Sequence, residues 1–190
     1  MLDIGLILTA YLLCGISTGY YLVRHIQQQD IRNYGSRATG ATNVGRVLGK
    51  KGFVLTGAGD LLKGSIIPGV AVYLGLSEIT IILSLVAGVV GNIWPLQLGF
   101  RGGKGVATAF GGLVVVDPVL AGILFTATMG LFAITRKFSF SGYLVITASP
   151  IIVILLGRPI LEVWGVIGMA IIMFIAHREN LRKLLHQNQK

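Results

Sequence analysis

Three polar clusters, rich in glycine and basic residues, interrupt an otherwise apolar chain of 190 residues. They comprise residues 35–46, 100–105 and 177–180. Arginine and lysine side chains bind phosphate oxygens, as do backbone N–H groups that glycine leaves accessible. If the apolar stretches between the clusters cross a membrane, all three clusters fall on the same side of it. The pattern therefore indicates an enzyme site at the bilayer surface that holds a phosphate-bearing substrate.

The composition is that of an integral membrane protein. Apolar residues make up 54% of the chain, charged residues only 12%, and the mean hydropathy is +0.80, whereas soluble domains carry about 25% charged residues. The net charge of +9 is concentrated in a few segments, which favours loops facing anionic lipid headgroups and argues against nucleic acid as a partner. The single cysteine, Cys14, provides neither an internal disulfide nor a thiolate metal site.

Six apolar runs approach the roughly 20 residues that a helix needs to cross the hydrocarbon layer. They are residues 2–23, 53–76, 79–98, 118–135, 139–156 and 159–176. A seventh run, residues 106–116, is short by this standard and is compatible with a tilted, thinned or half-inserted helix. Hydropathy alone therefore leaves its status open.

The placement of charge favours seven spans. Of the sixteen lysines and arginines, fourteen lie in residues 24–51, 101–104, 136–137 and the tail after residue 177. If the short run 106–116 also crosses the membrane and the runs are numbered along the chain, these segments follow the first, third, fifth and seventh spans. Because basic residues accumulate on the cytoplasmic side, the sequence predicts one all-α membrane domain with seven transmembrane helices. The domain covers residues 1–190, with the N-terminus outside and the C-terminus in the cytoplasm.

Residues 102–105, Gly-Gly-Lys-Gly, directly precede the short apolar run. The first N–H groups of a helix lack partners within it, and its dipole favours an anion there. We therefore expect the amides of Gly102 and Gly103, with the Lys104 ammonium, to bind phosphate. A basic loop that only obeys the topology rule is the alternative. A Walker A loop is excluded, because Gly105 stands where that pattern needs Ser or Thr.

The first cluster offers Ser36, Thr42, Asn43 and Arg46. Hydroxyls, an amide and a guanidinium in a small, flexible segment suit the binding of oxyanions. Alone, the segment is equally compatible with a solvated linker.

The third cluster follows the last apolar run and contains His177 and Asn180. A histidine leaving the membrane can act as a general base or a phosphate donor, and Asn180 would orient a substrate hydroxyl. A histidine that only snorkels to the interface is the alternative.

Two further patterns involve charged residues. His25 and Asp30 match the H-x4-D pattern of soluble-domain glycerolipid acyltransferases, but the downstream anion motif of that family is absent, so we interpret the match as coincidence. Asp60 and Lys63, spaced i, i+3 within an apolar run, would lie on one helical face. They predict a buried ion pair, unless Lys63 lends its charge to the phosphate site.

Together these residues resemble the bacterial membrane glycerol-3-phosphate acyltransferases that use acyl phosphate. The resemblance spans essentially the whole chain and rests on three motifs, formed by residues 36–46, 91–108 and 177–180. Residues 60–64, Asp-Leu-Leu-Lys-Gly, also resemble that family. The chain departs from the usual pattern at Arg37-Ala38, where Gly-Asn is common, and at Asn92, where histidine is common.

The resemblance implies transfer of a fatty acyl group from acyl phosphate to the 1-hydroxyl of sn-glycerol 3-phosphate, giving lysophosphatidic acid and inorganic phosphate. It places the enzyme in the bacterial inner membrane with its site on the cytoplasmic face, and it implies neither a cofactor nor a metal. The implied catalytic residues are Ser36, Arg46, Lys104, His177 and Asn180; the implied phosphate ligands are Thr42, Asn43, Arg46, Gly102, Gly103 and Lys104. Either His177 or a substrate phosphate would accept the hydroxyl proton.

Two other classes of protein fit parts of the pattern. A transporter or channel for an organic phosphate would use the basic loops as its mouth, but such proteins commonly have repeated halves and polar groups near the midplane. Here the polar clusters lie at one surface. A scaffold that binds lipid through basic loops would not need the glycine–lysine arrangement.

Overall fold

The computed structural model describes residues 1–187, apart from the side chains of Ser139 and of residues 179–187. Within this part of the chain the regular structure is entirely helical, as the sequence predicts. The helices are α1 (Leu2–Gly15), α2 (Thr18–Gln27), α3 (Ala41–Tyr73), α4 (Glu78–Ile93), α5 (Val106–Val116), α6 (Pro118–Thr135), α7 (Phe138–Leu155) and α8 (Ile160–Gln187). Short 3-10 turns lie at Ile31–Asn33 and Leu96–Leu98.

The first apolar run is two helices, where the sequence predicts one. Helix α1 ends because Ile16 is extended, and α2 begins at Ser17, whose hydroxyl caps the Tyr20 N–H group. The break leaves the Ile16 carbonyl without a partner in the helical ladder, and the Lys63 ammonium donates to it at 3.0 Å. The same ammonium lies 2.9 Å from the carboxylate of Asp60, and both side chains are buried. The predicted ion pair is confirmed. Lys63 also supplies a hydrogen-bond donor to the carbonyl left unpaired at the bend between α1 and α2.

Helix α3 begins well before the second apolar run. Residues 41–51 belong to the polar segment after the first apolar run, which the sequence predicts as a connection between spans. They are helical, and a break at Gly49 separates this first part from the rest. Gly49 has φ 67° and ψ −162°, a conformation open essentially to glycine. The first cluster is therefore divided between a loop and the opening turns of a helix.

Glycines allow the helices to approach closely. A side chain at Gly64 would meet the backbone of Thr108, and one at Gly111 would meet the backbone of Leu61, so α3 and α5 touch main chain to main chain. Gly91 of α4 packs against the backbone of Tyr11 in the same way. Contacts of this kind hold helices together in membranes, where no hydrophobic effect drives association.

The main apolar core lies among α4 to α8. At the end of α5, Asp117 caps α6 through the Val119 and Leu120 amides and binds the Arg158 guanidinium at 2.8 and 2.9 Å. Burial alone would raise the pKa of Asp117, but the Leu120 amide and the Arg158 guanidinium hold it below its usual range. This ion pair connects the α5–α6 junction to the α7–α8 connection.

Four segments among the described residues are long and apolar enough to cross a membrane: Leu2–Gln27, Glu78–Leu98, Pro118–Thr135 and Ile160–Arg178. Helix α5 and the Phe140–Leu155 part of α7 are shorter apolar helices. Large apolar side chains also lie on the outside of the bundle, among them Leu62, Phe125, Ile151 and Phe174. Such a surface suits lipid rather than water.

Replacing Gly111 by alanine should destabilise the fold, because the new methyl group would force the α3 and α5 backbones apart. We expect a loss of about 1–3 kcal/mol, measured by thermal or denaturant unfolding in detergent. Gly122→Ala is the matched control, since a Cβ at Gly122 meets no atom within 4 Å. Equal stability of the two variants would contradict the close contact of α3 and α5.

Candidate active site

A cavity of about 340 Å³ brings together parts of all three polar clusters. Its lining includes six of the residues predicted from the sequence: Ser36, Thr42, Asn43, Arg46, Lys104 and His177. They come from the loop before α3, the first turns of α3, the loop before α5 and the late part of α8. Residues separated by up to 141 positions in the chain thus share one cavity.

Most of the rest of the cavity wall is apolar. It is built from α3, α5, α6 and α7, chiefly by Phe53, Phe110, Leu124, Phe125, Met129, Phe138 and Val145. Cations and hydroxyls thus share one compartment with aromatic and aliphatic side chains. The cavity suits a molecule with an anionic head and an apolar chain.

Asn43 organises the first cluster from within. Its Nδ2 donates to the carbonyls of Tyr34 and Ala38, both at 2.9 Å, while its Oδ1 accepts from the Ser36 N–H group at 3.0 Å. The Arg46 guanidinium lies 3.4 Å from the same oxygen. Asn43 is buried and its hydrogen-bonding groups are used inside the loop. It therefore sets the loop conformation that presents Ser36, and it contacts the Arg46 guanidinium on α3.

The glycine-rich loop is fixed by the end of α4. Gly102 N–H donates to the Ile93 carbonyl (3.1 Å), and Gly103 N–H donates to the Asn92 carbonyl (2.9 Å). This differs from the expectation that both amides point at a bound anion, because the loop itself uses them. Neither glycine lines the cavity. They are small for a steric reason, since a Cβ at Gly102 would meet the Asn92 carbonyl oxygen and Pro95.

The first turn of α5 supplies backbone groups in their place. Gly105 precedes the helix with φ 77°, and its N–H group donates to Asn92 Oδ1 at 3.0 Å. Ala109 N–H bonds back to the Gly105 carbonyl at 2.8 Å, so the N–H groups of Val106 and Ala107 precede the helical hydrogen bonds. Both residues line the cavity. The anion-favouring end of α5 therefore opens into it, and the amides concerned lie four residues beyond the predicted Gly102 and Gly103.

Positive charge dominates the polar part of the cavity. Arg46 is exposed and Lys104 half-buried, and both line it. The acidic lining residue that the structure describes, Asp60, is already paired with Lys63. The site consequently favours an anion.

His177 lies within α8, whereas the sequence predicts that it follows the last helix. Helix α8 continues to Gln187, since most residues after the apolar run are good helix formers and none is glycine or proline. His177 Nδ1 lies 2.8 Å from the Met173 carbonyl oxygen, which can only accept a hydrogen bond. Nδ1 therefore carries the proton, and a neutral ring leaves Nε2 as an acceptor.

One predicted residue lies outside the described part of the site. Asn180 falls in α8, but its side chain is not among those that the structure describes. Within the described residues, no group of three or more His, Cys, Asp or Glu side chains is placed to hold a metal ion.

Sequence comparison identifies the family. The family model for glycerol-3-phosphate acyltransferase matches residues 4–187. The chain belongs to the glycerol-3-phosphate acyltransferase family. A relative in Desulfitobacterium hafniense, named glycerol-3-phosphate acyltransferase 1, is 52% identical over 190 residues, which cover all of this chain and 94% of the relative. A glycerol-3-phosphate acyltransferase of Thermus thermophilus is 39% identical over 94% of this chain and 89% of its own length.

Two solved structures share the fold. Both are of PlsY (YgiH), described as an integral membrane glycerol 3-phosphate acyltransferase. The glycerol 3-phosphate form has a TM-score of 0.93 at 34% identity and covers 98% of this chain and 94% of its own. The lysophosphatidic acid form has a TM-score of 0.89 at 32% identity, with 98% and 93% covered. The resemblance stated from the motifs is confirmed: the chain is a multi-pass bacterial membrane protein and a glycerol-3-phosphate acyltransferase.

The H-x4-D match is explained differently by the structure. Asp30 caps the turn at Ile31–Asn33 and binds the Arg32 guanidinium at 2.8 Å, and these hydrogen bonds lower the pKa of the Asp30 carboxyl. Arg32 also donates to the Leu98 carbonyl at 2.8 Å, so it ties the first loop to the second. His25 is exposed, and neither His25 nor Asp30 lines the cavity. Asp30 thus has a structural role, because it holds the arginine that connects the first loop to the second.

Sequence reasoning missed Tyr143. Its ring lies against that of His177, with centroids 4.9 Å apart and an interplanar angle of 35°, and the residue is buried on α7. No spacing rule connects positions 143 and 177, and an aromatic residue in an apolar run is unremarkable by itself. Only the packing of α7 against α8 makes Tyr143 a neighbour of the site.

Tyr143→Leu should lower kcat about tenfold, because His177 would lose the ring that limits its orientation, and small misplacements can cost up to about 10²-fold. Tyr143→Phe keeps the ring and should stay within about twofold of the wild type. Acyltransferase kinetics in detergent, with thermal unfolding as a check on folding, measure both variants. Equal activity of the leucine and phenylalanine variants would show that the ring contact is immaterial.

Proposed function

We propose that this enzyme transfers a fatty acyl group from acyl phosphate to the 1-hydroxyl of sn-glycerol 3-phosphate, releasing lysophosphatidic acid and inorganic phosphate. The observation that carries the proposal is the single cavity that joins Arg46 and Lys104 to an apolar wall. The acceptor and product fit the names of the two solved neighbour forms, which are glycerol 3-phosphate and lysophosphatidic acid forms of PlsY. An acyl phosphate donor accounts for both halves of the cavity, since it combines an anionic head with an apolar chain.

Two phosphate groups must be held at once in this reaction. Arg46 and Lys104 provide the charges, and the first amides of α5, at Val106 and Ala107, add dipoles directed at the same space. Ser36 and Thr42 position substrate oxygens with their hydroxyls. The acyl chain lies among the aromatic and aliphatic side chains of α5 to α7.

In the chemical step, the 1-hydroxyl oxygen attacks the acyl carbonyl carbon and the bond from that carbon to the phosphate oxygen breaks. His177 accepts the hydroxyl proton at Nε2, since Nδ1 faces the Met173 carbonyl. Asn180 orients the hydroxyl. Lys104 and Arg46 stabilise the charge that develops on the carbonyl oxygen and on the departing phosphate. Because that phosphate is a good leaving group, this side-chain set suffices.

Asn43, Gly102 and Gly103 have a different part in this proposal from the one their motifs imply. Asn43 is saturated by loop carbonyls and amides, and the glycine amides by the end of α4. We therefore assign them to shaping the two phosphate-binding loops rather than to direct contact with phosphate.

The membrane arrangement proposed is seven spans in one domain, with the N-terminus outside and the site on the cytoplasmic face. Helices α1 and α2 together make one bent span, and α3 to α8 make six more. The support is the distribution of charge: the basic segments lie at alternate connections, and the Asp117–Arg158 pair lies at the others. Basic loops on the cytoplasmic side follow the usual rule for membrane proteins.

Lys104→Ala should reduce acyl transfer by about 10²-fold or more, because it removes charge that stabilises the transition state. Purified protein would be given palmitoyl phosphate and glycerol 3-phosphate, with release of inorganic phosphate and formation of lysophosphatidic acid both followed. Lys51→Ala is the matched control, since Lys51 is exposed and does not line the cavity. Absence of acceptor-dependent product from folded wild-type protein would overturn the donor assignment.

Cysteine labelling should report the proposed orientation. In a Cys14→Ser background, Glu78→Cys should react with a membrane-impermeant maleimide in intact cells, whereas Lys137→Cys should react only after permeabilisation. Both positions are exposed in the structure and lie at opposite ends of the bundle in the proposed topology. The reverse labelling pattern would invert the orientation, and labelling of both positions from outside would contradict the number of spans.

A further inference from the structure

Asn92 lies where the glycine-rich loop and the cavity meet. It is the penultimate residue of α4, it is 4% exposed, and it lines the cavity. Its backbone carbonyl accepts from Gly103 N–H at 2.9 Å, and its side-chain Oδ1 accepts from Gly105 N–H at 3.0 Å. The two residues that flank Lys104 are therefore both bound to Asn92, which places this side chain beside the site cation.

The hydrogen bond from Gly105 fixes the orientation of the Asn92 amide. A backbone N–H group can only donate, so the atom that receives it is the oxygen, and the NH2 group must point elsewhere. Among the residues that the structure describes, Nδ2 of Asn92 has no acceptor. Nδ2 is not one of the fully buried side-chain atoms that lack a partner among the described residues, so it is accessible from the cavity that Asn92 lines. A substrate oxygen in the cavity would satisfy it.

Asn43 and Asn92 differ in whether the fold uses their amide donors. Both asparagines are buried and both line the cavity. The Nδ2 group of Asn43 is used by two loop carbonyls at 2.9 Å, whereas that of Asn92 is unpaired. The hydrogen-bonding groups of Asn43 are thus all paired without a ligand, whereas the NH2 group of Asn92 is not.

We infer that Asn92 is a substrate-binding residue whose Nδ2 group donates a hydrogen bond to a phosphate oxygen held beside Lys104. This inference rests on the proposed function, because it takes its ligand from that reaction. The phosphate belongs either to glycerol 3-phosphate or to the acyl phosphate, and the chemistry of recognition is the same for both. Asn92 has two roles in one side chain: its oxygen holds the start of α5, and its nitrogen binds the anion that this start attracts.

Asn92→Asp separates the two roles. The aspartate keeps an oxygen for Gly105 N–H but replaces the NH2 donor by an oxygen that repels phosphate. We expect KM for one substrate to rise at least tenfold, and the deficit to shrink as pH falls, because a protonated carboxyl can donate again. Varying each substrate at a saturating level of the other identifies whose phosphate is bound. Asn33→Asp is the charge-matched control, since Asn33 is exposed and lies outside the cavity, and it should leave both KM values unchanged.

Binding without turnover provides a second measurement. Inorganic phosphate should raise the Tm of the wild type and of Asn33→Asp, and should raise that of Asn92→Asp much less. If Asn92→Asp is too unstable to purify, Asn92→Ala, which removes the donor together with the acceptor for Gly105 N–H but adds no charge, should show a smaller rise in KM. Wild-type KM values for both substrates in either folded variant would overturn the assignment. Inactivity of the wild type itself would instead refute the proposed donor, so the two failures are distinguishable.

Discussion

The contact between the α3 and α5 backbones is the constraint on which the site depends. The first turns of these two helices carry Thr42, Arg46, Val106 and Ala107 into one cavity, and the helices can lie this close only because Gly64 and Gly111 have no side chains. A short helix such as α5, with 11 residues, buries little area along its length. Close main-chain contact compensates for that, since dispersion attraction falls steeply with distance.

Electrostatic pairing decides which charges remain for a ligand. Lys63 lies in a helix at depth, where an isolated ammonium would be expensive; Asp60 neutralises its charge, and the Ile16 carbonyl accepts a hydrogen bond from it. Arg32 is likewise used by Asp30. Arg46 and Lys104 both line the cavity. Lys63 and Arg32 are thus used within the fold, whereas Arg46 and Lys104 bring positive charge to the cavity.

Much of this arrangement could be predicted from the sequence, because hydropathy, charge placement and glycine-rich motifs are local signals. Residues 106–116 were expected as a short helix and match α5, and the Asp60–Lys63 pair follows from i, i+3 spacing. The break at Ile16, the helical start of α3 and the use of the Gly102 and Gly103 amides depend instead on tertiary contacts. A motif indicates that glycine is required at position 102. It does not distinguish close approach of a ligand from close packing of the loop against Pro95.

The same distinction between ligand contact and loop support explains why the two asparagines are not equivalent. A side chain amide has two donor hydrogens and one acceptor oxygen, and the fold consumes all of these groups at Asn43 but only the oxygen at Asn92. Since the Asn92 donor is accessible from the cavity, a substrate oxygen bound there can accept its hydrogen bond. Preorganisation of the glycine loop by the oxygen and recognition of the anion by the nitrogen are therefore linked through one planar group. Whatever fixes the start of α5 also fixes the direction of the donor.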